Sequence, residues 1–100
     1  MTLEQFKASL AHDSPPDVPP PLLGLWHDAR GDWHTAHQTV LDDPTAASAW
    51  VHAYLHRKEG DIGNAHYWYR RAGKPPYTGS LESEWEQIAR ALLESRSATR

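Results

Sequence analysis

Cysteine is absent from this 100-residue chain, which excludes a disulfide framework, a cysteine-type zinc site and a thiol nucleophile. Thiol usage therefore says nothing about redox compartment. There is no excess of positive charge either: 10 Lys and Arg face 13 Asp and Glu, a formal net charge of -3. Such a balance offers no general attraction for nucleic acid or an anionic membrane surface, so neither is expected as a partner. The start, Met1 to Leu10, carries Glu4 and Lys7 and has no apolar run of signal-peptide or membrane-anchor length. A cytoplasmic protein is the expectation. β-Branched residues are few and no alternating run is long enough for a strand, which excludes a sheet. Also missing are a glycine-rich phosphate loop, a nucleophile elbow, a paired catalytic carboxylate pattern and a cofactor fingerprint.

What the chain has is aromatic residues, histidine and proline: five Trp, four Tyr, seven His and eight Pro. A domain of this length buries only about two-thirds of its unfolded surface, so the large aromatic side chains supply the packing density it needs. The string Gly-Asp-x-x-x-Ala-His occurs twice, at Gly31, Asp32, Ala36, His37 and at Gly60, Asp61, Ala65, His66, 29 residues apart. His27 and His56, Trp33 and Ile62, and Val40 and Tyr69 fall at equivalent positions. A repeated unit near this length indicates stacked helical units rather than one irregular core.

Periodicity predicts six helices in one domain, an all-α fold. Residues 1–11 read as an N-terminal helix, with Leu3, Phe6, Ala8 and Leu10 on its apolar side, and 12–21 as a proline-rich strap. Two helical hairpins fill 21–73. Pro21 opens the first helix, which carries Leu22, Leu25, Trp26 and Ala29, and Gly31 ends it. The next holds Trp33, Ala36, His37, Val40 and Leu41 on one stripe and stops before Asp43-Pro44. The helix from Ala46 to Lys58 follows the cap Thr45 and is apolar on every side, which predicts a helix sandwiched between neighbours. After Gly60 and the cap Asp61, the stripe is Ile62, Ala65, Tyr69 and Ala72. A loop over 74–79 leads to a capping helix over 80–95, with Ser80 as cap and Leu81, Trp85, Ile88, Ala89 and Leu92 inward, and 96–100 reads as a frayed tail.

These residues resemble the tetratricopeptide repeat and its Sel1-like relative, both built from stacked helix-turn-helix units. In the second unit Ala53 and Ala65 take the small facing positions, Gly60-Asp61 the turn, Tyr69 the large aromatic position and Ala72 the last small one. Tyr67-Trp68-Tyr69-Arg70-Arg71-Ala72-Gly73 is similar to the ending of Sel1-like repeats. The first unit matches through Leu23, Gly24, Gly31, Asp32, Ala36 and Val40 but has Asp43 where the family has a small residue. The resemblance covers Pro21 to Gly73. It implies a scaffold whose concave face, lined by the first helix of each hairpin, binds a protein or peptide, as a monomer or homodimer and without catalysis. On that reading the binding surface includes His27, Trp50, Tyr54 and Arg57, while Trp50, with Trp33, Tyr69 and Trp85, also fits an inward packing stripe. Tyr67 and Trp68, with Arg57, Arg70, Arg71 and Lys74, form a basic aromatic edge suited to an acidic peptide or a C-terminal carboxylate, the competing interpretation being that Arg70 and Arg71 only complement the helix dipole in a solvated last turn.

Histidine supports an alternative from a different class, a small metal- or ligand-binding domain, a metal-dependent enzyme among the possibilities. His52 and His56 lie i, i+4 on one helix face, a spacing that places two imidazoles on one ion, and they occupy positions that repeat proteins fill with inward apolar residues. With His37 they form a candidate site for a divalent metal such as zinc, nickel or iron, with His27 or His66 nearby. The competing packing interpretation has each ring bury its apolar body and donate to a backbone carbonyl, with Glu59 and Asp61 acting only at helix ends.

Overall fold

The computed structural model describes residues 1–98, with side chains through 96. Among the described residues there are six helices and no strand: α1 (Leu3–Ser9), α2 (Pro20–Ala29), α3 (Trp33–Leu41), α4 (Ala46–Glu59), α5 (Ile62–Ala72) and α6 (Leu81–Ala98). No helix among them is long and apolar enough to cross a membrane.

The helix ends follow from named side chains. Thr2 and Gln5 close a capping box on α1, while Asp32, Thr45 and Asp61 accept from the third backbone N–H of α3, α4 and α5. Ser80 Oγ accepts from Ser83 N–H at the start of α6. The repeated Gly-Asp string makes the same turn twice. Gly31 and Gly60 stand at φ +85° and +92°, and the following Asp N–H donates to the carbonyl of His27 in one turn and His56 in the other, both at 2.9 Å. This is the Schellman closure, which needs a residue free to adopt the left-handed conformation. Gly73 closes α5 in the same way, with Lys74 N–H bonded to the Tyr69 carbonyl.

α4 is the hub. It packs against α2, α3, α5 and α6, and Ser48 through His56 are buried without interruption. Its apolar character on all sides is thus used on all sides. α2 pairs with α3 and α4 with α5, giving the two expected hairpins. α6 does not stack beyond α5. It packs on α2 and α4, the first helix of each hairpin, and on α1. Trp85, Ile88, Ala89 and Leu93 bury there, and Trp85 Nε1 donates to the Leu25 carbonyl. The proline strap returns α1 onto this helix, and Arg30 fixes the junction by donating to the carbonyls of Leu10 and His12.

Several expected positions are corrected. Leu41 and Ile62, assigned to inward stripes, are about half exposed at 48% and 50%, and Ala8 is exposed. Ile62 corresponds to Trp33, whose indole Nε1 reaches the Leu55 carbonyl of the next hairpin; among the described residues no helix other than α4 packs on α5, so Ile62 has no equivalent partner. Leu93 rather than Leu92 is the buried residue in the last turns of α6. The helix runs through Ala98, so the expected tail at 96–100 is helical where described, and residues 99 and 100 lie outside the described residues.

Candidate metal centre

Two helices bring three imidazoles together. His52 and His56 project from successive turns of α4, and His37 comes from α3, so that one ligating nitrogen from each lies within 4.8 Å of the others. Ring centroids are 4.6 Å apart for His37 and His52, 4.7 Å for His52 and His56, and 5.1 Å for His37 and His56. With metal–nitrogen bonds of ~2.1 Å and tetrahedral angles, three imidazole centroids stand roughly 5 Å apart. The observed separations, 4.6 to 5.1 Å, match that spacing.

Burial favours the neutral form of two of these rings, His52 and His37. His52 is 2% exposed and His56 6%. Burial, then the neighbouring His37 and His56, push the His52 pKa down to about 3. His37, partly open to solvent, is also lowered, by burial first and by His56 second. A neutral imidazole presents a lone pair, the form a metal requires. Indoles wall the cluster on both sides: Trp33 stacks on His37 at 4.9 Å and Trp68 on His52 at 3.8 Å.

His56 shows a further feature of metal ligands. Its Nδ1 lies 2.7 Å from a Glu59 carboxylate oxygen, which can only accept, so that in a neutral ring Nε2 carries the lone pair. That lone pair now faces the Asn64 amide nitrogen at 3.3 Å. Asp61, the third member of a second group with His56 and Glu59, caps α5. The packing interpretation fails in its specific form. None of the three rings donates to a backbone carbonyl among the described residues, and the buried Nδ1 of His52 has no hydrogen-bond partner there.

The remaining candidates are dispersed. His27 sets its edge against Trp26 and His66 is exposed; neither joins the cluster. Trp50 and Tyr54, expected on an open concave face, are buried because α6 crosses α2 and α4 at that face. Tyr54 donates to Asp28 at 2.9 Å, and Lys58 completes that buried group at 3.0 Å. Arg57 is drawn inward as well, donating to Glu84 at 2.9 Å and to the Gly79 carbonyl. Trp68 is half-buried on His52, and the apolar stripe of α6 packs on α2 and α4. Tyr67, Arg70 and Arg71 stay exposed.

Sequence reasoning missed Glu59 as a partner of His56, although its i+3 spacing was a usable signal. It also missed the buried carboxylates Asp28 and Glu84. Burial pushes Glu84 up, against hydrogen bonds from Tyr69 and Arg57 that hold it down. No protein-family model matches the chain, and no curated protein or solved structure matches it.

Proposed function

We propose that this chain binds a divalent transition-metal ion through His37, His52 and His56, on a scaffold of tetratricopeptide-like hairpins. The observation that carries the reading is the His52 ring, buried in a cluster of three imidazoles with a nitrogen that no donor or acceptor satisfies. An unmet polar atom in a low-dielectric interior is costly, and a metal bound at that nitrogen would remove the cost. Three neutral nitrogen donors suit zinc, nickel, copper(II) or iron(II), and not calcium or magnesium, which take oxygen ligands. The fourth position falls to solvent or an exogenous ligand. Because His37 belongs to the first hairpin and the other two ligands to the second, the ion would clamp the hairpins together.

Calorimetric titration of the metal-free protein with zinc, nickel and iron(II) tests this, on the wild type, on His37→Ala and on the His52→Ala, His56→Ala double variant. One ion per chain is expected, with binding weakened about tenfold or more in His37→Ala and lost in the double variant. Because His37 is partly exposed, its replacement separates loss of a ligand from loss of the fold. Absence of binding by the wild type, or unchanged binding by His37→Ala, would refute the proposal. A second reading, capture of a protein or peptide, is favoured by the exposed Tyr67, Arg70 and Arg71 on α5.

A further inference from the structure

α5 carries no acidic residue from Ile62 to Ala72, in a chain whose net charge is -3. Tyr67, Arg70 and Arg71 fall at i, i+3 and i+4 and form one exposed ridge, which Lys74 extends past the end of the helix. The three cations are unpaired: no ion pair among the described residues reaches Arg70, Arg71 or Lys74, whereas Lys7, Arg57 and Lys58 are each matched with a carboxylate. Tyr67 is 43% exposed, one of the few large apolar side chains left open to solvent.

The ridge is also ordered by its own contacts. Arg71 donates to the Tyr67 hydroxyl at 3.1 Å, and its guanidinium lies over the rings of Tyr67 and Trp68, at 5.8 and 5.2 Å from their centroids. The Lys74 ammonium sits 4.3 Å from the centroid of Trp50. Stacking of this kind limits the freedom of a long cationic side chain before a ligand arrives, which lowers the entropy lost on binding. The negative end of the helix dipole accounts for cations in the last turn of α5. It does not account for the exposed tyrosine, for the arginine laid across two rings, or for the missing acidic partners.

We propose that this ridge docks an acidic, extended segment of a partner protein, with carboxylates on Arg70 and Arg71 and an apolar side chain against Tyr67. Charge complementarity selects this occupant. A continuous phosphodiester chain fits less well, because Asp42 and Asp43 border the cleft that Trp68 and Arg71 also line. A peptide can place its carboxylates singly and avoid those two groups. The proposal does not depend on metal binding, since none of its three contact residues is a ligand.

The probe is a fluorescent peptide that alternates glutamate with leucine, followed by anisotropy against the full chain, with chelator and again with zinc. Saturable binding is expected in both conditions. It should weaken about tenfold in the Arg70→Ala, Arg71→Ala double variant and measurably in Tyr67→Ala. It should also weaken as salt is raised from about 50 to about 300 mM, and vanish when the glutamates become glutamines. All three side chains are exposed, so neither variant should disturb the fold, and matching thermal melts check this. Failure to saturate, or equal affinity in the double variant, overturns the proposal. So does tighter binding of a single-stranded oligonucleotide of equal charge, or a dimer in sedimentation that the double variant dissociates.

Discussion

Acidification should destabilise the metal-free protein through His52 and His37, and His52 sets the size of the effect. Its folded pKa is about 3 against an ordinary value of 6.5, so between those values the unfolded chain binds a proton that the folded chain refuses. A proton excess in the unfolded state means that stability falls as pH falls through this window. From about pH 7 to about pH 5 the loss from His52 alone integrates to about 2 kcal/mol. In a domain of this size that lowers the melting temperature by roughly 8–16 °C. His37, shifted in the same direction, adds to it. The carboxylates Asp32, Asp43 and Glu86 are held below their usual range by hydrogen bonds, so their contribution is lost only at lower pH. Glu84, raised by burial, acts with the opposite sign and gains stability on protonation. Urea melts in chelator, followed by far-ultraviolet circular dichroism and repeated on His52→Leu, isolate the histidine. The variant should lose about 2 kcal/mol less than the wild type over the same interval. Equal acid sensitivity in the two proteins would refute the reasoning.

Three further outcomes follow from particular contacts. A methyl group at Gly24 would stand 2.7 Å from Val40 Cγ1 and 3.5 Å from Val51 Cγ1, so Gly24→Ala should destabilise by ~1–3 kcal/mol in thermal melts, despite the better helix propensity of alanine. A stabilised variant would show that α2 and α3 can part at no cost. Arg57→Ala strands Glu84, which is 1% exposed, and should cost about 3–5 kcal/mol near neutrality. Part of that loss should return on acidification, because a protonated Glu84 no longer needs the guanidinium; denaturant melts at two pH values read both effects. Glu59→Gln should leave the metal-free melt within about 0.5 kcal/mol of the wild type but weaken metal binding by about tenfold or more in calorimetry.

Local order was legible where one residue type determines the outcome. Thr45 and Asp61 announced helix starts, and Gly31 and Gly60 announced identical turns, because caps and left-handed closures depend on the side chain at one position. The all-round apolar pattern of α4 likewise predicted its central place. What the sequence did not reveal depends on how helices meet. Leu41 and Ile62 satisfy the periodicity of an inward stripe yet face solvent, because no neighbour packs at those points. The open concave face was lost because α6 lies on α2 and α4 instead of extending the stack, which buries Trp50 and Tyr54 and turns Arg57 toward Glu84. For the metal centre, the i, i+4 spacing of His52 and His56 was visible in the sequence. The approach of His37 is a matter of the α3–α4 register, which no single-helix pattern encodes.

The central claim is that three imidazoles from two hairpins converge on one ion. X-ray absorption at the zinc edge of the zinc-loaded protein tests it most directly. The account predicts a first shell with three imidazole nitrogens at about 2.0–2.1 Å, carrying the outer-shell scattering of the rings, and one imidazole fewer in His37→Ala. A shell of oxygen atoms alone, or one unchanged by the loss of His37, would contradict it.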